Sequence, residues 1–142
     1  MTSTEHPFAL PPHLTPDFAK VHDYWKGLIR GRASDMPYWD DVKLSDLPGL
    51  TAKLILATVS AGPVRLRFDI VGKDVSARYG KELAGSFADE IEVRAPLDFF
   101  SAQASATVEG RQPTFFKSGE YGRLLLPLWG DGHISMMLGI VA

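Results

Sequence analysis

A chain of 142 residues with 45% hydrophobic and 23% charged side chains has the size and composition of one globular domain. It contains no cysteine, which excludes a disulfide framework, a zinc ribbon, a thiolate-ligated cluster and a cysteine nucleophile. Fifteen Lys and Arg against 17 Asp and Glu leave a formal charge of −2, so no net basic field draws the chain to nucleic acid.

No apolar run approaches the roughly 18 residues of a membrane span. Met1 to Leu10 has no cationic stretch followed by an apolar one, so no signal peptide is read and a cytoplasmic domain is expected. Residues 1–14 carry Pro7, Pro11 and Pro12 without periodicity and read as an extended arm ahead of a single domain over 15–142. The first periodic segment predicts an amphipathic helix over 16–30. Thr15 suits its cap, Pro16 its first turn and Asp17 its positive end. Phe18, Val21, Trp25, Leu28 and Ile29 share one face, and Gly31 is a natural terminator.

Residues 31–52 are connective, punctuated by Pro37, Pro48 and Gly49, with Ser45 placed to cap a short turn. The period then changes to two. Strands are predicted over 53–60 and 64–71, broken at Ala61-Gly62-Pro63; in the second, Val64, Leu66, Phe68 and Ile70 alternate with Arg65, Arg67 and Asp69. Short helical pieces are predicted across 72–91. There Val75 and Tyr79, then Leu83, Phe87 and Ile91, fall four apart, and Gly80 and Gly85 interrupt. Pro96 opens a longer helix to about Gly110, with Leu97, Phe100, Ala104 and Val108 on one face. Three strands close the chain, over 113–118, 123–129 and 134–141, and Pro127 marks an edge position or a bulge. Gly130-Asp131-Gly132 is a hairpin turn. This order predicts an α+β domain: a five-stranded antiparallel sheet with helices on one face, preceded by the N-terminal amphipathic helix.

Few residues fall into a chemical pattern. His6, His13, His22 and His133 lack the close spacing of a metal or haem site, so no metal and no cofactor is expected. Asp40-Asp41 and Asp89-Glu90 are neighbours on single segments, which suits solvated or capping carboxylates better than an acid–base pair. Nucleophile-elbow, phosphate-loop and dinucleotide motifs are absent. Phe68, Tyr79, Phe87, Phe100, Phe115, Tyr121 and Trp129 can line a cavity between sheet and helices, although filling the core is the commoner use of such rings. The stripe of the first helix docks either on its own domain or on a second copy. Lys26, Arg30 and Arg32 cluster at its end, too few to make a nucleic-acid surface.

Four stretches together resemble a known family, the bacterial PAS-like domains called PAS family 5. They are Tyr24-Trp25-Lys26-Gly27-Leu28-Ile29-Arg30-Gly31-Arg32; Met36-Pro37 with Asp41 and Leu47 downstream; Phe68-Asp69-Ile70-Val71-Gly72 with Val75, Tyr79-Gly80-Lys81-Glu82-Leu83 and Gly85; and Arg123-Leu124-Leu125-Leu126-Pro127-Leu128 with Gly132 and Leu138-Gly139. Tyr38-Trp39 and Trp129 depart from the pattern and add aromatic surface at connections. The resemblance implies a non-catalytic sensory or regulatory domain that binds a small molecule, a signalling protein or both, and it supplies no catalytic residues. The ligand would be lined by Phe68, Tyr79, Phe87, Phe100, Phe115 and Leu126, and a homodimer or partner would meet Phe18, Val21, Trp25 and Leu28. Two other readings stay open: a small α+β cone-type enzyme using Tyr79, Tyr121 and Asp69, and a ligand-free interaction scaffold.

Overall fold

The computed structural model describes residues 8–29, 36–60 and 64–142. Helix α1 spans Pro16–Gly27, opening where the missing proline N–H is harmless. The Thr15 carbonyl accepts the Ala19 N–H, but its hydroxyl makes no capping bond. The helix ends before residue 30 because Leu28 and Ile29 donate to the Trp25 and Lys26 carbonyls, three residues back, tightening the last turn. Arg30, Gly31, Arg32 and the strand break at 61–63 lie outside the described residues.

Five strands follow: β1 Leu54–Ser60, β2 Arg65–Val71, β3 Thr114–Lys117, β4 Gly122–Gly130 and β5 His133–Val141. They form one sheet in the order β2-β1-β5-β4-β3, antiparallel at every pairing. The β4–β5 turn places Asp131 (φ 53°) and Gly132 (φ 83°) in the left-handed region, the geometry a two-residue hairpin requires. The crossover from β2 to β3 carries α2, Lys73–Tyr79, and α3, Phe100–Gly110, with one short 3-10 turn at Ala88–Glu90. Gly72 joins β2 to α2 at a close approach: a Cβ there would fall 2.2 Å from the Ala52 carbonyl oxygen.

Between α2 and α3 the structure departs from the helical reading. Gly80 ends α2 in a left-handed conformation, but Leu83 and Phe87 are not helical. Gly85 turns the chain at φ 90°, donates to the Phe68 carbonyl, and lets Ser86 accept the Phe68 N–H. Residues 85–87 thereby pair along the outer edge of β2. The β3 edge is met in turn by Phe8, whose carbonyl accepts the Phe115 N–H. Backbone from elsewhere in the chain thus meets each outer strand, which blunts edge-to-edge association. Helix α3 begins at Phe100 rather than Pro96, because Phe99 sits at φ 58° and breaks the helical run.

Pro127 stands where its sequence signal places it. Strand β3 pairs only with Gly122 to Leu125, so β4 has lost that neighbour at Pro127, and a bulge follows at Leu128/Trp129. Beyond it, the Trp129 N–H reaches the Pro37 carbonyl and Tyr38 makes a short parallel bridge to Trp129.

The expectation of helices on one face needs correction. Along β4 the side chains alternate, with Arg123, Leu125 and Pro127 on one face and Leu124, Leu126 and Leu128 on the other. Helix α3 covers the first, since Gln103 bonds to Thr114 and Arg123, and Phe100 meets Phe68. Helix α1 covers the second: the Phe18 ring packs edge-on against Phe115 at 5.1 Å, and the Trp25 indole N–H donates to the Pro127 carbonyl at 2.8 Å. Phe18, Val21 and Trp25 are buried in their own domain, and Leu28 is half-buried. The stripe expected to meet a homodimer or partner is core, because four large side chains on one helical face find a ready apolar sheet beside them. Among the described residues no helix is long and apolar enough to cross a membrane.

Candidate functional site

The expected ligand chamber is the layer between α3 and the sheet, and its chemistry follows from two sequence patterns. Phe100, Gln103, Ala104 and Thr107 have the i, i+3, i+4, i+7 spacing of one helical face, and these four are the buried residues of α3. Opposite them, Arg123 opens the inner strand β4 and is completely buried, at 0% exposure. An arginine buried there must find acceptors for its fixed fork of N–H groups. Its Nε donates to Gln103 Oε1 at 2.7 Å, one terminal nitrogen to the Pro96 carbonyl at 2.8 Å and the other to the Asp98 carbonyl at 2.7 Å. The guanidinium also lies 4.9 Å from the Phe116 ring centre and 5.3 Å from that of Phe100.

The rest of the network closes on itself. Gln103 Nε2 donates to Thr114 Oγ1 at 3.1 Å and to the Arg123 carbonyl at 3.2 Å. Thr107 donates its single hydroxyl proton to the Gln103 carbonyl at 2.9 Å, so the 2.7 Å contact between Thr107 and Thr114 must carry the Thr114 proton. Burial pushes the Arg123 guanidinium down to about 10, with Tyr121 and Asp98 pulling the other way, so it stays cationic at neutral pH. Tyr121 donates to Asp98 Oδ2 at 3.1 Å, and burial raises its phenol above the ordinary range. This layer is an internal clamp that holds the start of α3 on the sheet.

The six residues expected to line a ligand do not meet around one space. Phe68 and Phe100 touch, with ring centres 5.2 Å apart. Tyr79 is buried on α2, where its hydroxyl donates to the Glu92 carbonyl at 2.7 Å. Phe87 lies at the outer edge of β2 beneath the Arg65 guanidinium, 3.9 Å from its ring centre. Phe115 and Leu126 are on the opposite face, under α1. Alternation along a strand separates Leu126 from Leu125 and from the Phe68 side, which explains the split.

The enzyme reading fares no better geometrically. Asp69 accepts from Thr58 and from Arg67 Nε at 2.9 Å, Tyr79 is tied to Glu92, and Tyr121 to Asp98. The three belong to separate networks and do not converge on a reacting atom. Among the described residues no cluster of three or more His, Asp or Glu is placed to hold a metal ion.

Sequence reasoning passed over a cleft beyond the C-terminal end of α3. Val59, Ser60 and Val64 from the first hairpin, Val108 and Arg111 from α3 and its end, and Trp129, Gly132, His133 and Ile134 from the second hairpin line an open cleft of about 250 Å³. Its parts are 75 residues apart in sequence at the extremes, so no local spacing announces it; the departure at Trp129 was the one signal. No protein-family model, curated protein or solved structure matches the chain.

Proposed function

We propose that this chain is a non-catalytic, PAS-like sensory module, which binds a small molecule or a signalling protein and passes the result on through non-covalent contact. The observation that carries this reading is the layout of the sheet and its crossover: an antiparallel order β2-β1-β5-β4-β3 in which short helices link the second and third strands. The resemblance implies a five-stranded antiparallel sheet with helices between its strand pairs, and this layout supports the reading at that level. The scattered Tyr79, Tyr121 and Asp69 favour it over the cone-type enzyme. In such a module a ligand acts only through unequal affinity for two arrangements of the domain. Because the interior layer is occupied by the Arg123 clamp, input falls to the periphery of the fold rather than to the space between Phe68 and Phe100. Partner contact likewise falls to surfaces other than the α1 stripe.

Native mass spectrometry of the intact chain tests the reading. A small-molecule adduct that leaves on denaturation, or a thermal upshift with members of a metabolite panel, is the expected result. A bare chain that no metabolite stabilises overturns small-molecule sensing and leaves protein contact by a ligand-free scaffold as the reading.

A further inference from the structure

Three cavities invite comparison. One of about 310 Å³ brings Lys53, Asp74 and Arg78 together, with charges of both signs and Lys53 already paired to Asp17 at 2.8 Å. One of about 220 Å³ is bounded by Ile91, Val93, Leu97 and Phe99, apolar surfaces beside Ser101 and the single charge of Glu92, which is already paired to Arg94. The third, at the end of α3, combines an apolar body with a cationic rim.

The floor of that cleft is Val59 and Ile134, both buried, and Val64 and Val108 form its sides. Four β-branched side chains make stiff walls, since each has little freedom at χ1. At the rim, the Arg111 guanidinium lies over the Trp129 ring, 4.9 Å from its centre. Arg111 closes α3 at φ 54°, its N–H on the Thr107 carbonyl, so the root of this side chain is fixed in a conformation that non-glycine residues rarely adopt. Among the described residues it has no carboxylate partner. A cation–π contact of this kind consumes none of the guanidinium N–H donors, and their planar fork can grip a carboxylate with two parallel bonds. His133 completes the rim. Its Nδ1 donates to the Asp131 carbonyl at 3.3 Å, because a carbonyl only accepts, and Nε2 is left without a partner among the described residues.

We propose that this cleft is a binding site for a small monocarboxylate carrying one aromatic ring. The ring sits between Val59, Val64, Val108 and Ile134, and the carboxylate is held by Arg111. Size is compatible with the class: an open cleft of about 250 Å³ has room for a single ring and its carboxylate. A rigid ring suits stiff walls because little rotational freedom is lost on entry. Charge decides the anion. The last carbonyls of α3 place partial negative charge at the same rim, so an acid is held only while Arg111 outweighs them. The site touches both the end of α3 and the β4–β5 hairpin, so occupancy adds a link between these two elements beside the Arg111–Trp129 contact. The proposal deepens the sensory reading and rests on it for the consequence of binding, though not for binding itself.

The test is a titration of the intact, isotope-labelled chain with phenylacetate, followed by NMR. Saturable shifts are expected at the Val59, Val108 and Ile134 methyls and the Trp129 indole. Arg111→Gln, a change at an exposed side chain, weakens binding by about tenfold or more, and so does replacing phenylacetate with the neutral 2-phenylethanol. Val108→Phe, which fills the cleft from the half-buried side, abolishes it. Shifts that do not saturate, or affinity unchanged in Arg111→Gln, overturn the site. A native-mass adduct that survives Arg111→Gln sinks the site and leaves the sensory reading standing. Saturable binding that alters hydrogen exchange nowhere outside the cleft sinks the sensory reading and leaves the site.

Discussion

Strand β4 closes its two faces by different physics. Toward α1 it presents Leu124, Leu126 and Leu128, each 0% exposed, and α1 answers with Phe18, Val21 and Trp25. Toward α3 it presents Arg123, whose charge is answered by Gln103, by the Pro96 and Asp98 carbonyls and by two aromatic rings. The apolar face is non-directional: many side chains of suitable size would hold α1, and the indole bond to Pro127 adds one fixed point. The polar face is directional, because each donor has one acceptor and each loss strands a partner. The first arrangement supplies adhesion, the second register. That difference explains why the layer under α3 is full of protein and why the open cleft lies past the end of the helix instead.

The contrast can be broken most forcefully at its polar centre. Arg123→Ala strands the Gln103 amide and two carbonyls in the core and is expected to cost about 3–5 kcal/mol in urea unfolding. A loss below about 1 kcal/mol would show that the clamp does not hold α3. Leu126→Ala, on the other face, removes packing alone and is expected to cost about 3 kcal/mol.

The two faces separate further by additivity. Arg123→Ala and Gln103→Ala remove parts of one network, so together they lose less than their sum by about 1–2 kcal/mol. Arg123→Ala and Leu126→Ala act about 10 Å apart along the strand on opposite faces, and their losses add within about 0.5 kcal/mol. Equal coupling in both cycles would erase the distinction. Trp25→Phe keeps the ring and drops the indole N–H, leaving the Pro127 carbonyl unpaired, for a loss of about 1–2 kcal/mol.

The smallest effect is electrostatic. Burial, then the neighbouring Lys26 charge, holds the His22 imidazole below its ordinary value, with Asp23 pulling the other way. The unfolded chain therefore takes up the proton first as pH falls through about 6.5, and the fold loses stability there. This slope between about pH 7.5 and 5.5 is expected to be absent from His22→Gln, measured by thermal unfolding across pH. An unchanged slope would place the titration elsewhere.

Much of the fold was legible because half-buried strands and an amphipathic helix each impose a short period on the chain. Val64 to Val71 announces itself through alternation, Arg123 to Trp129 through a short apolar run, and the Asp131-Gly132 turn through residues that tolerate left-handed backbone. The four-residue spacing of Leu83, Phe87 and Ile91 misled, because Gly85 turns the chain and backbone bonds to Phe68 draw residues 85–87 along β2 instead. The interior clamp was written in plain view, as Gln103 and Thr107 on the Phe100–Ala104 face and an arginine opening a run of leucines. Pattern reading sorts polar residues outward, so it set these aside. The ligand-lining set failed at Phe115 and Leu126 for a simpler reason: nothing local states which side of a sheet a second helix will take.

The sequence by itself determined which segments become strands, where the hairpins turn, and that the first helix carries an apolar stripe, since each depends on neighbours within a few residues. Only the tertiary structure decided that α1 and α3 occupy opposite faces, that Arg123 is buried with its acceptors, and that Arg111, Trp129 and His133 share one rim with Val59. Those outcomes join residues tens of positions apart, and their energies come from desolvation and partner geometry that exist only once the chain has closed.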